Sequence, residues 1–221
     1  MSQWLNSLAQ AAKITTMFSW LRTLGWLFAL VLATVPSFWL LVHPRAESWR
    51  RRRGARFRIL GPLWVAMWLA AGAITWPWRH LLLYDNAFCW LAAVPFFATG
   101  FYLYHRGRAR FSFAQLVGRP EVQGAGFEQR LVTTGIRARV RHPVYLGHLC
   151  ELIGWGVGTG LVAIWGLAAF AVITGAIMIG MEDDELERRF GEPYRQYRRT
   201  TPAVIPRLER QALRRGGSRC A

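Results

Sequence analysis

Apolar residues in this chain come in long blocks separated by short polar or strongly basic stretches. Three blocks, Gly25–Val42, Ile59–Trp78 and Ala87–Tyr104, are close to the roughly 20 residues a helix needs to cross a bilayer. A fourth, Val144–Met181, would be about 57 Å long as one straight helix, far more than one hydrocarbon core. Its middle reads "GWGVGTG" from Gly154 to Gly160. Glycine at that density weakens a helix and permits a tight turn, so the block predicts a helical hairpin. The predicted first arm, about 144–156, is short, at about 20 Å; the second, about 161–181, is full length. Before the first block, Trp4, Leu5, Leu8, Ala12, Ile14, Met17, Phe18 and Leu21 recur at helical spacing between polar residues. That pattern predicts an amphipathic helix over residues 1–22 lying at the membrane surface.

The fold expected is therefore all-α: a polytopic integral membrane protein of about five transmembrane helices, the last two a hairpin. Three parts follow: the interfacial helix 1–22, three transmembrane helices over 23–105, and a region 106–221 holding the hairpin and a C-terminal tail. The 44–58 loop, the 105–143 segment and the tail after 187 are rich in arginine, whereas the 79–86 link and the N-terminus are not. The positive-inside rule places the rich segments in the cytoplasm. Five crossings then put the N-terminus outside and the C-terminus inside, in a bacterial inner membrane or its equivalent.

Composition supports the membrane reading. Apolar residues make up 53% of the 221 and charged ones 18%, which suits a small membrane protein rather than a soluble domain. The net charge of +16 falls between apolar blocks rather than on one soluble face, which argues against a nucleic-acid partner and for anionic lipid headgroups. The three cysteines (89, 150, 220) form no CxxC, and the five histidines show no metal-ligand spacing, so no metal site is expected. No cleavable signal peptide is expected either. A transporter would need charged residues along a path across the bilayer, and Glu151 alone interrupts the apolar blocks.

Three polar pieces flank the hairpin: "LVTTGIRARVRHPVYLG" (131–147), "MEDDELERRFG" (181–191) and "EPYRQYRRTTPAVIP" (192–206). A hairpin returns to its starting face, so residues about 40 apart share one place. Pro143 suits the first turn of a helix, where its missing N–H is no loss, with His142 at the N-cap. Either these residues only start a helix, or the free N–H groups and the Arg141–His142 pair meet a ligand's acceptors. Tyr145 is placed to pack on a flat ring, and Gly147 leaves a gap for close approach to backbone. Glu182 and Asp183 either pair with Arg188 or Arg189, or hold a cationic ligand group. Glu185 and Glu187 suit pairing along the helix, Glu185 with Arg188 or Arg189. Glu151, an ionisable residue at depth, is a functional candidate by default; His148 reads as an interfacial histidine. Tyr194 and Tyr197 either cover a ligand or belt the interface, and the prolines at 202 and 206 suggest a return of chain across the site.

The ordered set Arg141-His142-Pro143-x-Tyr145-x-Gly147, then Glu182-Asp183 with Leu186, then Phe190-Gly191-x-x-Tyr194-x-x-Tyr197 and a closing proline resembles the isoprenylcysteine carboxyl methyltransferase family, including its prokaryotic and NnrU-like relatives. The likeness covers about 130–206. It implies a membrane enzyme that binds S-adenosylmethionine in a cytoplasmic pocket over the hairpin, releases S-adenosylhomocysteine, and methylates a lipophilic acceptor such as an isoprenylcysteine-type carboxylate. It carries cofactor contacts to Arg141, His142, Pro143, Tyr145, Gly147, Glu182, Asp183, Tyr194 and Tyr197. Arg137, Arg141 and Arg188 are candidates to orient an anionic acceptor, with Arg137, Arg141 and Glu151 as the catalytic set and Glu151 or His148 as base for an amine or thiol. The alternatives are a phospholipid amine or small thiol acceptor, or a non-enzymatic membrane protein of the same fold. Two departures stand out: Asp183 where the family usually has glutamate, and Arg137 and Arg139 where aromatics are common. The sequence defines neither the acceptor nor the oligomeric state.

Overall fold

A computed structural model describes residues 2–45, 48, 55–108 and 131–207, with side chains from residue 18 in the first helix, from residue 58 in the second and up to residue 107 in the third. The arginine run after residue 48, most of the 105–143 segment, the tail beyond 207 with Cys220, and the side chains that define the amphipathic pattern of 1–17 lie outside the described residues.

The described residues form six α-helices with short turns: α1 (Ser2–Val42), α2 (Ala55–Thr75), α3 (Cys89–Arg108), α4 (Pro143–Thr159), α5 (Val162–Phe190) and α6 (Glu192–Thr200). The all-helical expectation holds among these residues; their one extended feature is an isolated antiparallel bridge between Leu82 and Leu161. Three helical stretches are long and apolar enough to cross a membrane: Phe18–Arg45, Arg58–Trp78 and Val162–Phe190. Helix α3 has the length but ends in His105, Arg106 and Arg108, and α4 has only 17 residues. The segment expected as a separate surface helix runs on without a break into the first apolar block, inside α1.

The hairpin forms, but its turn sits elsewhere than the glycine cluster suggested. Helix α4 continues through Gly154, Gly156 and Gly158 and stops at Gly160, whose φ of 69° ends it in the left-handed region. The first arm is thus 17 residues, about 25 Å, rather than 13. The three helical glycines do a packing job: a Cβ on Gly154 would sit 3.0 Å from the Phe97 ring, on Gly156 3.0 Å from Trp165, and on Gly158 2.6 Å from Trp90. Small residues let helices approach where lipid gives no hydrophobic drive. At Gly160 a Cβ would lie 2.3 Å from the Tyr84 carbonyl oxygen. The 79–86 link closes over this turn, with Leu83 N–H donating to Gly160 O and Val162 N–H to Leu81 O, while the Tyr84 hydroxyl donates to Val157 O at 3.0 Å.

Helices α1, α4 and α5 share the main core. Ala29 and Ala33 of α1 are wholly buried against Leu152 of α4 and Ile164, Leu167, Ala168 and Ala171 of α5. The outward surface is apolar: Leu69, Ile74, Leu91, Phe101 and Ile173 are each more than 60% exposed, as suits helices clothed by lipid rather than water.

Contacts at the two ends fix the sense of each helix. At one end, Arg22 of α1 meets Asp85 at 2.5 Å and Trp26 Nε1 donates to Thr75 Oγ1 at 2.9 Å, joining the start of the apolar part of α1 to the end of α2. At the other, His43, just past α1, meets Glu185 near the end of α5, and Gly107 at the end of α3 packs against Pro143 and Val144 at the start of α4. The polar pieces around residues 141 and 183 gather at this second end, where the arginine-rich segments also enter and leave.

Candidate functional site: a buried ion cluster at the hairpin mouth

Pro143 occupies the first turn of α4 and His142 is its N-cap. Helix α5 does not stop at Glu182 and Asp183; it runs another two turns to Phe190. These carboxylates are therefore interior helix positions, and they face the start of α4. Gly191, at φ 64°, ends α5 and lets α6 fold back, bringing Tyr194 and Tyr197 over the same spot.

Asp183 is the hub. It is 3% exposed, and its carboxylate accepts from Arg141 Nη2 at 2.5 Å, Arg141 Nε at 3.3 Å, His142 Nε2 at 3.0 Å and the Tyr194 hydroxyl. Four donors fill the acceptor positions of one carboxylate. The remaining Arg141 nitrogen donates to Arg198 O at 3.1 Å and to Thr201 O. The chain after α6 lies along 141–142 as a strap, since Arg141 N–H donates to Pro202 O and His142 N–H to Ala203 O, each at 2.9 Å; the expected return of chain across this place is present. Arg137 donates to Arg141 O at 2.9 Å, and its own carbonyl accepts from the Tyr197 hydroxyl at 2.7 Å. Residues from four sequence regions thus hold one another, and the tyrosines serve as buried struts rather than as a cover or an interface belt.

His142 lies between two carboxylates. Burial alone would push its pKa down, but the Glu182 charge, 3.4 Å away, together with the hydrogen bond to Asp183, lifts it to about 9. The residue is an imidazolium at neutral pH. A cation at a helix N-terminus opposes the macrodipole; the two α5 carboxylates reverse that penalty. Burial likewise lifts the Tyr197 hydroxyl, partly offset by Arg137 and Arg141, to about 12. Burial pulls Arg137 below the ordinary guanidinium value against the opposing pull of Tyr197 and Glu182. Glu182 differs from Asp183: its side chain is 23% exposed, and Oε2 makes no hydrogen bond among the described residues. That oxygen faces His142 Nδ1 at 3.4 Å as an ion contact.

The other sequence candidates divide. Tyr145 stands beside His142, ring centroids 5.8 Å apart. Gly147 opens no gap for a ligand: a Cβ there would meet the Tyr104 ring at 2.8 Å, so its role is close packing of α3 on α4. Glu151 lies deeper, against Gly100 of α3, and meets no arginine among the described residues. The charged residues of α5 also reach beyond their own helix. Glu185 meets His43 at 2.7 Å, Glu187 meets Arg198 at 3.1 Å, and Arg188 donates to the Asp184 carbonyl. His43, Tyr104, Arg198 and Thr201 were not read from the sequence. His43 and Tyr104 sit at the ends of apolar stretches without a motif, Arg198 is one of several arginines beside Tyr197, and Thr201 acts through its backbone.

Comparison with known proteins gives two relatives. The chain is 43% identical over 81 residues to the nickel-cobalt-cadmium resistance protein NccN of Alcaligenes xylosoxydans xylosoxydans, covering 35% of this chain and 37% of that protein. It is 39% identical over 90 residues to the cobalt-zinc-cadmium resistance protein CzcN of Cupriavidus metallidurans, covering 40% of this chain and 39% of that one. The match thus spans under two-fifths of either relative. No family model matches the chain, and no solved structure matches it. Both relatives are named for metal resistance and neither for methyl transfer. This overturns the expectation of an S-adenosylmethionine-dependent methyltransferase, and with it the assignment to a transferase class.

Proposed function

We propose that this chain is an integral membrane protein that contributes to cellular resistance to transition-metal ions of the nickel, cobalt, zinc and cadmium group. The similarity to the two resistance proteins carries the reading. The fold supports a membrane-bound role: α1 to α5 run alternately up and down, with an apolar outer surface. We place all five across the bilayer, with the N-terminus outside and the ion cluster at the cytoplasmic face, where arginine-rich segments enter and leave. The bilayer is then its first partner, through anionic headgroups. Among the described residues no group of three or more His, Cys, Asp or Glu side chains is arranged to hold a metal ion, and no metal site is assigned to the cluster. Its part is architectural: it locks the hairpin, α6 and the 201–203 strap into one unit. The likeness in its motif to the isoprenylcysteine carboxyl methyltransferase family is, on this reading, a likeness of that lock.

Growth in graded nickel, cobalt, zinc and cadmium salts tests the function. Deleting the gene in its own host lowers the tolerated concentration of at least one metal. Re-expressing the wild-type chain restores it, and a membrane-inserted Asp183→Ala chain restores less. Unchanged tolerance to all four metals on deletion sinks the reading.

A further inference from the structure

Three buried polar atoms lie together between α3 and α4 and belong to no part of the ion cluster. The Tyr104 hydroxyl, His148 Nδ1 and Glu151 Oε1 are all shielded from solvent and make no hydrogen bond among the described residues. They are neighbours. The Tyr104 and His148 rings are 5.3 Å apart, and Tyr104 also lies against Gly147. One turn earlier on α3, Gly100 lies so close to Glu151 that a Cβ there would sit 2.8 Å from Cγ and 3.1 Å from Oε1. Glycine at 100 and 147 is thus what lets the carboxyl and the phenol fit into the seam between the helices.

Each such orphan costs on the order of 1–3 kcal/mol if left unmet, and buried polar groups in native proteins almost always have a partner. The partner's chemistry is restricted. Among the described residues no arginine or lysine pairs with Glu151, so nothing in the seam supplies the positive charge an anion would need. An ionised carboxylate without a counter-ion in an apolar seam is far costlier than a neutral one. The titratable neighbours are Tyr104 from α3 and His148 and Cys150 from α4. Helices α1 and α5, on the other side of α4, carry theirs at the ends, as Arg22, His43, Arg45 and residues 182–189. A proton on the carboxyl with water bridging it to the phenol and the imidazole satisfies all three groups.

The seam also has a route to solution. His142, Tyr145, His148 and Glu151 follow at intervals of three along α4, so each neighbours the next on the helix surface. Ring contacts of 5.8 Å (His142 to Tyr145) and 6.2 Å (Tyr145 to His148) trace the ladder. It begins at Glu182, beside His142 in the ion cluster, and winds inward to Glu151. Chains of Glu, His and similar side chains inside a membrane protein mark paths for protons or ions.

We propose that Glu151, Tyr104 and His148 form a buried site that holds a proton and bridging water between α3 and α4, open to solution from the ion-cluster end through Tyr145 and His142. Infrared difference spectroscopy on the lipid-reconstituted chain tests it. A protonated-carboxyl band is expected that disappears in Glu151→Gln and moves in Glu151→Asp. In heavy water the wild-type band shifts as its proton exchanges, and His148→Phe slows that exchange severalfold. Should Glu151→Gln fail to fold, the wild-type band and its shift in Glu151→Asp still assign the group. Absence of a Glu151 carboxyl band throughout the pH range over which the protein stays folded would overturn the site. A band that does not exchange with heavy water would overturn the route to solution.

Discussion

Raising the pH should loosen the ion cluster, because His142 is the cation that titrates first. Its pKa rises from 6.5 to about 9 in the folded chain. The sign follows from linkage: a group that binds its proton more tightly when folded stabilises the fold fully below its unfolded pKa and loses that contribution as pH rises through the folded one. The interval from 6.5 to about 9 corresponds to ~3 kcal/mol. Nearly all of it is present at pH 6, ~2 kcal/mol remains at pH 7.5, and little is left above pH 9. His142 is only 4% exposed, so solvent screening takes little from this figure. For a chain of this length a change of 1 kcal/mol moves Tm by roughly 2–4 °C, so Tm should fall by roughly 6–12 °C between pH 6 and pH 10. The assay is thermal unfolding in detergent followed by tryptophan fluorescence, for which the 12 tryptophans give ample signal. His142→Gln should start lower and show a much flatter profile. A wild-type Tm that stays level from pH 6 to 10, or a slope that His142→Gln leaves intact, refutes the assignment of an imidazolium between Glu182 and Asp183.

Removing the hub should cost more than removing its neighbour. Asp183→Asn leaves Arg141 and His142 buried without their shared counter-ion and should destabilise by about 3–5 kcal/mol, read as a Tm drop of roughly 10 °C or more. Glu182→Gln, at a partly exposed carboxylate 3.4 Å from His142, should lower Tm by less than half as much; equal losses would contradict the hub. Gly160→Ala should destabilise strongly, since it forces a side chain into a φ of 69° and against the Tyr84 carbonyl oxygen, whereas Gly166→Ala, with nothing within 4 Å of its Cβ, should be neutral or slightly stabilising in the same melt. Gly147→Ala should push α3 from α4 through the Tyr104 ring, 2.8 Å from the new Cβ, at about 1–3 kcal/mol, and Tyr104→Leu in the same chain should recover part of the loss.

How much of this was legible depends on which force wrote the signal. Hairpin and cluster were readable because long apolar blocks must cross or fold back, and a fold-back returns residue 141 to residue 183 whatever the details. Observed contacts at a separation of 42 residues bear this out. The turn was misplaced because glycine has two physical uses and the sequence does not separate them. At Gly160 it frees the backbone; at Gly154, Gly156 and Gly158 it admits the rings of Phe97, Trp165 and Trp90. The alternation of glycine with bulky residues was a possible cue, since a loop has no need for a small residue at every second position. Local spacing gave Glu185 a nearby arginine but held no sign of His43, 142 positions away, because an i,i+3 pair worth only a few tenths of a kcal/mol leaves a carboxylate open to tertiary partners.

The charge pattern of the cluster explains why its residues can look like a ligand site and yet close on themselves. An arginine, an imidazolium and two carboxylates next to an open helix N-terminus are the groups a zwitterionic molecule would need, and sequence alone cannot show whether their partners are internal. In the fold, the cations spend their donors on Asp183 and on the carbonyls of Arg198, Thr201 and Arg137's neighbour at 141. Among the buried atoms that make no hydrogen bond within the described residues are the Tyr104 hydroxyl, His148 Nδ1 and Glu151 Oε1 in the seam below. A purely structural lock would gain by replacing those three with apolar groups, since a half-satisfied buried polar set is worse than none. Keeping three such groups beside the ion cluster is the observation from which the proposed proton and water site between α3 and α4 follows.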